Sequence, residues 1–189
     1  MTFAMMATTA QWTLADLDRL PDDGNRYELV DGELFVTPAP SYDHEDVLAV
    51  LSALLTAYVA RHQLGRVYHP RAVVEAAGSR AEPDLMIRPV PAMRPRSWGS
   101  SPVPTLVVEN LSETTRRRDQ VEKRAYYARI GVPCYWILDR ESRTIRVVRP
   151  GRLDDVCDST LVWHPAGASE PLVVDVGALF REALGAAGG

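Results

Sequence analysis

The order of apolar and polar residues divides the N-terminal part of the chain into short elements. A helical pattern over 13–20 is followed by two β-type runs, 27–30 and 33–36. Between these runs stand Asp31 and Gly32, which tolerate the positive φ angles of a type I′ turn. The pattern therefore predicts a short helix and then a β-hairpin.

Longer apolar patterns follow the hairpin. Apolar residues at helical spacing over 43–62 form a wide stripe, which predicts a long and well-buried helix. Three apolar runs, 66–75, 84–88 and 105–109, are predicted strands. The proline-rich segment 89–104 is a predicted loop between the last two.

The C-terminal half continues the alternation of helix and strand. A helix is predicted over 116–130, ended by Gly131 and Pro133. The further predictions are strands at 134–138, 144–148, 161–163 and 172–174, and a closing helix at 175–184 capped by Asp175. This order predicts a mixed α/β (α+β) fold, with a central β-sheet flanked by helices and an N-terminal β-hairpin.

No repeat or change of composition marks a domain boundary, so we expect one domain over 1–189. Its core is expected at about 13–150. C-terminal strands and a helix are expected at 159–185, and a frayed tail at 186–189.

Composition narrows the class of protein. With 189 residues, 46% of them hydrophobic, and only two cysteines, the chain can form a core without a disulfide framework or a cysteine-based zinc site. Residues 1–10 lack the basic and apolar segments of a signal peptide, and the most apolar stretch, 47–60, is too short to span a membrane. We therefore expect a cytoplasmic protein without membrane contact.

The charged residues are unusual in type. The net charge is −4, so contact with nucleic acid requires local patches such as 116–118 with Arg124, or Arg94 with Arg96. Each patch is also compatible with a solvated surface. Of the 21 basic residues, Lys123 is the only lysine. A GC-rich genome explains the excess of arginine, whereas a lysine kept against that bias indicates chemistry that arginine does not replace; both explanations stay open.

Two acidic residues stand next to apolar strands. Asp84 opens the run 84–88, where it is either a turn residue or a ligand. Glu109 follows three apolar residues of a strand that is predicted to be buried on both faces, and a carboxylate in such a place needs a partner. That partner is either an arginine or a metal ion shared with another acid.

The only lysine lies on the predicted helix 116–130. At about 100° per residue, Lys123 shares one side with Tyr126 and Ile130, which favours an inward lysine. The opposite side is also apolar, so the pattern leaves open which side meets the sheet. Two acids on neighbouring strands and an inward lysine are the components of metal-assisted phosphodiester hydrolysis, in which carboxylates hold Mg²⁺ and the lysine orients the attacking water.

Short segments along the chain also form an ordered set. They are Tyr27 to Leu34, His44, Glu82-Pro83-Asp84-Leu85, Val107 to Ser112, Asp119 with Glu122-Lys123-Arg124 and Tyr127, and Gly131-Val132-Pro133 with Tyr135-Trp136. This set resembles the Uma-type restriction-endonuclease family of the PD-(D/E)XK nuclease superfamily. The resemblance covers about 14–148 and implies a restriction-endonuclease-like core.

The resemblance also implies site residues. Asp84 corresponds to the aspartate of the PD element and Glu109 to the second metal-binding acid. The superfamily's lysine normally follows that acid by two residues, where this chain has Leu111, and the resemblance places the lysine on the next helix, at Lys123. Glu113 replaces the family's usual proline in the loop between them.

Three further residues have expected roles. Glu28 resembles an additional acidic site residue, and the alternative is a salt bridge with Arg26 on the same strand. His44, at the start of the long helix, either contacts phosphate or water, or is a capping or surface histidine. Asn110 is expected to lend its backbone carbonyl to the metal.

Together these residues predict an endonuclease that hydrolyses phosphodiester bonds in DNA with Mg²⁺ or Mn²⁺. The expected catalytic residues are Asp84, Glu109, Lys123, Glu28 and His44, with the metal on Asp84, Glu109 and Asn110. One alternative is a nuclease-fold binding or regulatory module without activity, and another is a structural protein whose acids form ordinary salt bridges. A homodimer is compatible with cutting both strands of a duplex.

Overall fold

The computed structural model describes residues 11–112 and 115–186. Its α-helices are α1 (Leu14–Leu17), α2 (Tyr42–Arg61), α3 (Arg116–Gln120), α4 (Glu122–Arg129) and α5 (Val176–Leu184). Its strands are β1 (Arg26–Val30), β2 (Glu33–Thr37), β3 (Arg66–Tyr68), β4 (Val74–Ala76), β5 (Ser79–Ala81), β6 (Leu85–Arg88), β7 (Leu106–Asn110), β8 (Tyr135–Asp139), β9 (Thr144–Val148), β10 (Asp155–Cys157), β11 (Thr160–Trp163) and β12 (Leu172–Asp175). Glu113, and all but the first residue of the expected tail, lie outside the described residues.

A six-stranded mixed sheet forms the centre of the fold, with its strands in the order β10-β9-β8-β7-β6-β3. β7 and β8 are parallel, and the other neighbours are antiparallel. Every residue of β6 and β7 is buried, as expected for strands covered on both faces. The predicted fold class, a mixed sheet flanked by helices, is confirmed.

Apolar side chains form one core cluster on each face of this sheet. On one face, α2 and α5 pack against residues that include Leu85 and Val108. On the other face, Tyr126 of α4 joins a cluster with Met86 and Val107. Successive residues of a strand point to opposite faces, so β6 and β7 contribute alternately to the two clusters.

The N-terminal hairpin belongs to a smaller sheet of order β2-β1-β5-β4. β1 and β2 pair around Asp31 and Gly32, whose φ angles of 52° and 83° are both positive, as a type I′ turn requires. The predicted hairpin is confirmed. Val30 and Ala81 of this sheet lie in the cluster that contains α4, so the small sheet covers the α4 side of the core.

The strand prediction is wrong in two places. The run 66–75 is divided into β3 and β4, which belong to different sheets. Pro70 lies between them and has no backbone N–H to donate to a ladder. β5 and β10 are missing from the predicted elements, because three residues each are too few to show a period.

The predicted helix 116–130 is interrupted at Val121, where φ is −120° and ψ is −67°. α3 and α4 therefore replace one continuous helix. Val121 is exposed, whereas Asp119 and Lys123 on either side of the break are buried. The inward side is the one with Lys123 and Tyr126, which answers the question that the apolar pattern left open.

Helix ends follow capping chemistry. Thr13 and Asp16 form a reciprocal capping box at α1, which ends at Leu17 rather than at residue 20. Ser41 accepts a bond from the first turn of α2, and Asp175 caps α5 as predicted. Within the described ranges, no helix is long and apolar enough to cross a membrane.

Gly65 is expected to tolerate no side chain. Its φ is 131°, and a Cβ atom built on it would lie 2.0 Å from the carbonyl oxygen of Arg88. Gly65→Ala should therefore lower the free energy of unfolding by about 3 kcal/mol or more, since both the backbone angle and the contact are unfavourable. Gly24, with a φ of 88° and open space around it, is the matched control, and Gly24→Ala should cost only about 1 kcal/mol. Equal losses in chemical denaturation would contradict the close contact.

Candidate active site

A cavity of about 150 Å³ opens where β6 begins, β7 ends and α2 begins. Both predicted metal-binding acids, Asp84 and Glu109, line it, together with His44 and Asn110. Its wall also contains three arginines, namely Arg26, Arg118 and Arg140. The cavity thus combines carboxylates, an amide and cationic groups in a small space.

The strand register places Asp84 beside Glu109. Leu85 pairs with Val108 in the antiparallel β6–β7 ladder, so the next pair along the two strands is Asp84 and Glu109. The backbone N–H of Asn110 donates to Oδ2 of Asp84 at 2.8 Å. This bond fixes the first carboxylate at the end of β7.

Asp84 also has two cationic partners. Arg26 Nη1 lies 2.8 Å from Oδ1, and His44 Nε2 lies 3.2 Å from Oδ2. Burial favours the neutral acid, but His44 and Arg26 outweigh it and hold the pKa of Asp84 well below its usual range. Asp84 is therefore a buried carboxylate that two cationic groups keep ionised, at the bend that precedes β6.

Glu109 is held by α4. Lys123 Nζ and the Tyr127 hydroxyl donate to Oε1 at 2.8 and 2.9 Å. Burial, together with the nearby carboxylates, raises the pKa of Glu109 to about 8, although Lys123 opposes the shift. Because both donors bind Oε1, Oε2 is the oxygen that remains for a ligand in the cavity.

Lys123 is completely buried and is not among the described residues that line the cavity. Its Nζ lies 2.7 Å from Glu28, 2.8 Å from Glu109 and 3.6 Å from Asp119. Burial opposes the charge of the amine, but these three carboxylates raise the pKa of Lys123 above its usual value. Lys123 therefore neutralises acids from three segments of the chain and reaches the cavity through Glu109.

Glu28 lies in β1 and faces the same lysine. Its Oε1 contacts Lys123 and accepts the backbone N–H of Glu82 at 2.8 Å, and its Oε2 lies 3.2 Å from Arg118. The alternative partner, Arg26, instead contacts the carboxylate that precedes β6. Burial disfavours the charge of Glu28, but the two cations outweigh it and lower the pKa of Glu28.

His44 lies buried in the first turn of α2. Ser41, not His44, caps the helix. Nδ1 lies 3.3 Å from Glu45, while Nε2 faces Asp84. Burial and Arg140 disfavour the imidazolium, but the two carboxylates outweigh them and raise the pKa of His44. The ring is thus part of the acidic cluster and neither a cap nor a surface histidine.

Asn110 connects β7 with α2. Its Nδ2 donates to the carbonyl of His44 at 3.0 Å, and its Oδ1 is buried with no hydrogen-bond partner within residues 11–112 and 115–186. Buried amide oxygens are nearly always bonded. The side-chain oxygen is therefore a second candidate ligand atom beside the backbone carbonyl that was expected.

Four residues without a predicted role in the site complete the cluster, namely Arg26, Arg118, Asp119 and Tyr127. A local pattern could have identified Asp119, which precedes Lys123 by four residues and so shares its side of a helix. No local pattern identifies Arg26 as the partner of Asp84, because that hydrogen bond joins residues 58 positions apart.

The arginines around 116–118 do not form one basic patch. Arg118 is buried in the acidic cluster, where it contacts Glu28. Arg116 lies 2.8 Å from Asp139, and the expected fourth member of the patch, Arg124, lies 2.7 Å from Asp154. Acidic partners thus offset this group of arginines, which weakens it as a surface for nucleic acid.

Comparisons with known proteins add the family. A family model described as "Uma2: Putative restriction endonuclease" matches residues 14–171. The chain belongs to the Uma2 family. A crystal structure described as "a putative nuclease belonging to DUF820 from Anabaena variabilis ATCC 29413" is similar to it with a TM-score of 0.78 and 20% sequence identity, over 92% of this chain and 99% of that chain. No curated protein matches the chain.

The family match confirms the resemblance that was drawn from the ordered segments. The similar crystal structure confirms the fold. Uma2 membership supports a nuclease function in general.

The two central acids are expected to respond oppositely to neutralisation in metal-free buffer. Asp84→Asn removes the charge that pairs with Arg26 and His44 and should lower the free energy of unfolding by about 3 kcal/mol. Glu109 has a raised pKa, so its ionisation lowers stability as the pH rises from 4.5 to about 8. Glu109→Gln removes this loss of stability and keeps an oxygen that accepts a hydrogen bond from Lys123. The variant should therefore exceed wild type in free energy of unfolding, by an amount that grows across that pH interval.

Thermal denaturation at several pH values measures both effects. Glu170→Gln is the control, because Glu170 and Arg61 form an exposed pair at 3.6 Å that should contribute less than about 1 kcal/mol. A fall in stability for both acid variants would show that both acids act as structural partners of cations.

Proposed function

We propose that the chain is a divalent-metal-dependent endonuclease that hydrolyses phosphodiester bonds in DNA, with Mg²⁺ or Mn²⁺ as the metal. The observation that supports this most directly is the placement of Asp84 and Glu109. Asp84 immediately precedes β6 and Glu109 lies in the adjacent β7, they line one cavity, and each is fixed by a cationic side chain. Lys123, bonded to Glu109 at 2.8 Å, completes the set of two acids and a lysine.

The oxygen atoms around the cavity suit a hard cation. Asp84 and Glu109 offer carboxylates, and Asn110 offers Oδ1 or its backbone carbonyl. In the part of the chain that the structure describes, no three His, Cys, Asp or Glu side chains are grouped so that they could hold a metal by themselves. Mg²⁺ commonly uses one or two carboxylates and completes its shell with water and substrate phosphate oxygens, so this smaller set fits it.

A divalent cation bound here would polarise the phosphate and lower the pKa of a water molecule. The chain's own residues prepare the site. Arg26 and His44 keep Asp84 ionised, and Lys123 and Tyr127 orient Glu109 through Oε1. Each carboxylate is therefore held in one position before substrate arrives, as electrostatic catalysis requires.

Cationic groups on the cavity wall support a phosphate substrate. Arg140 donates to Ser41 Oγ and to the carbonyl of Leu111, and its buried Nε has no hydrogen-bond partner among the described residues. The 20-residue helix α2 begins at the same wall, and the amino end of a helix attracts anions. A phosphodiester beside Asp84 would meet both features.

Glu109→Gln separates catalysis from stability. This variant is expected to be at least as stable as wild type, yet it lacks a carboxylate that we assign to the metal. Cleavage of supercoiled plasmid, duplex DNA and single-stranded DNA with Mg²⁺ or Mn²⁺ should fall at least about 10²-fold, while Glu170→Gln should cleave like wild type. Calorimetry should show metal binding that Asp84→Asn abolishes.

Undiminished cleavage by folded Glu109→Gln would exclude this acid from catalysis. If wild type cleaves none of these substrates but still binds DNA, the result contradicts a nuclease and supports the alternative of an inactive binding module.

Lys123→Arg keeps the charge and changes the shape of the group. The guanidinium is larger and planar, and Lys123 has no exposed surface, so Glu109 would be displaced. We expect a rate loss of at least about 10²-fold in a variant shown to be folded by circular dichroism. Arg124→Lys, the reverse exchange at the next position of α4, should keep the wild-type rate. Intact cleavage by folded Lys123→Arg would remove Lys123 from the mechanism.

A further inference from the structure

A second and larger cavity lies at the other end of β6. Its volume is about 820 Å³, and its walls are β3, the end of β6 and the proline-rich loop 89–104. We call it the arginine cleft and define it by six of its lining residues: Arg66, Tyr68, Arg88, Arg94, Arg96 and Trp98. None of these residues belongs to the candidate active site.

Two aromatic rings form part of the wall. Tyr68 and Trp98 meet edge to face, with ring centroids 5.7 Å apart and planes at 86°. Arg88 lies over the Trp98 ring at 5.6 Å from its centroid. These contacts hold the indole in a defined orientation in the cleft.

Arg88 closes the base of the loop. It is only 4% exposed, and it donates to the carbonyls of Pro102 at 2.7 Å and Val73 at 3.0 Å. Burial lowers the pKa of Arg88, and no carboxylate among the described residues forms an ion pair with it. The cleft is thus built around a buried arginine whose N–H groups are hydrogen-bonded to carbonyl oxygens and whose positive charge is not neutralised by a carboxylate of the described residues.

The other three arginines, Arg66, Arg94 and Arg96, are also without ion pairs in the described ranges. Glu75, which lies next to Gly99 of the same loop, is paired with Arg80 at 2.6 Å. The lining contains four arginines and no acidic residue, in a protein of net charge −4. This concentration of unpaired positive charge favours an anionic ligand.

Unpaired arginines beside aromatic rings, here half-buried, are a combination that binds single-stranded nucleic acid, in which phosphates meet the cations and bases stack on the rings. The cleft is also placed to act together with the candidate active site. Asp84 and Arg88 are four residues apart on one extended segment, so their side chains point to the same face of it. At about 3.3 Å per residue, they lie roughly 13 Å apart.

We propose that the arginine cleft binds a single-stranded segment of the nucleic acid substrate, with its phosphates on Arg94 and Arg96 and a base against Trp98. This inference rests on the proposed function, because the strand bound here continues from the one that is cut. The cleft would recognise a phosphate together with a base. A free nucleotide also carries both groups and is therefore the alternative ligand that the experiment must distinguish.

Fluorescence anisotropy of a labelled single-stranded 20-mer of thymidylate, in EDTA to prevent cleavage, measures the binding. Arg94→Glu/Arg96→Glu should weaken the affinity at least about 10-fold and reduce the salt slope by about 1.4, which corresponds to two phosphate contacts. The control is Arg152→Glu/Arg181→Glu, which makes the same charge change at two exposed arginines outside the cleft. It should change the affinity less than about threefold.

Trp98→Leu tests the base contact. Trp136 and Trp163 are buried, so a change of tryptophan fluorescence on binding should come mainly from Trp98. In this variant the change should disappear, and the affinity should fall roughly fivefold or more. Trp12→Leu, at the other partly exposed tryptophan, should keep both.

The outcomes separate this inference from the proposed function. Equal loss in the cleft and control variants, tight binding of thymidine monophosphate alone, or no binding of the 20-mer by wild type would each overturn the strand site. If wild type cleaves DNA while the cleft variants bind normally, the nuclease stands and the cleft assignment fails. If the cleft variants lose binding but wild type never cleaves, the cleft assignment stands and the nuclease fails.

Discussion

The candidate site depends on the ion pairs that the buried amine of Lys123 forms. Its amine contacts Glu28 of the hairpin, Glu109 of the central sheet and Asp119 of α3. Without this amine, Glu109 would lose its ion-pair partner, and Glu28 and Asp119 would be left with Arg118 alone among the described residues, which is strongly unfavourable for buried carboxylates. The contacts of this amine, together with those of Arg118, therefore link the hairpin, the central sheet and the broken helix, and they give the lysine at this position a structural role.

The same network divides the two central acids into different electrostatic states. Asp84 is compensated by Arg26 and His44, and its pKa is lowered. Glu109 shares its cation with two other acids, and its pKa is raised to about 8. Asp84 is thus an ionised acid, whereas the ionised form of its neighbour Glu109 would be stabilised by another positive charge. This asymmetry is the physical reason why a cation is expected to bind next to Glu109 and why the two neutralising substitutions are expected to differ in sign.

Local chemistry was enough to predict much of this arrangement. The Asp31-Gly32 turn and the strands on both sides of it follow from dihedral preference and apolar period. The apolar period favours an inward Lys123 but does not decide between the two apolar sides of its helix. The partners of the charged groups do not follow from such rules, because contacts such as Arg26 with Asp84 join distant segments. The break at Val121 and the strands β5 and β10 are missing from the predicted elements because they are too short to leave a periodic pattern.

The position of Lys123 beside Glu109 depends on packing between β7 and α4. Leu111 follows Glu109 by two positions and packs in the core cluster that contains Tyr126 and Tyr127 of α4. An apolar residue there strengthens the contact between β7 and α4, and that contact brings Lys123 to within 2.8 Å of Glu109. Packing thus places the lysine beside an acid that lies on a different element. A substitution that loosens Leu111 should therefore act on Glu109 through Lys123, although Leu111 itself bears no charge.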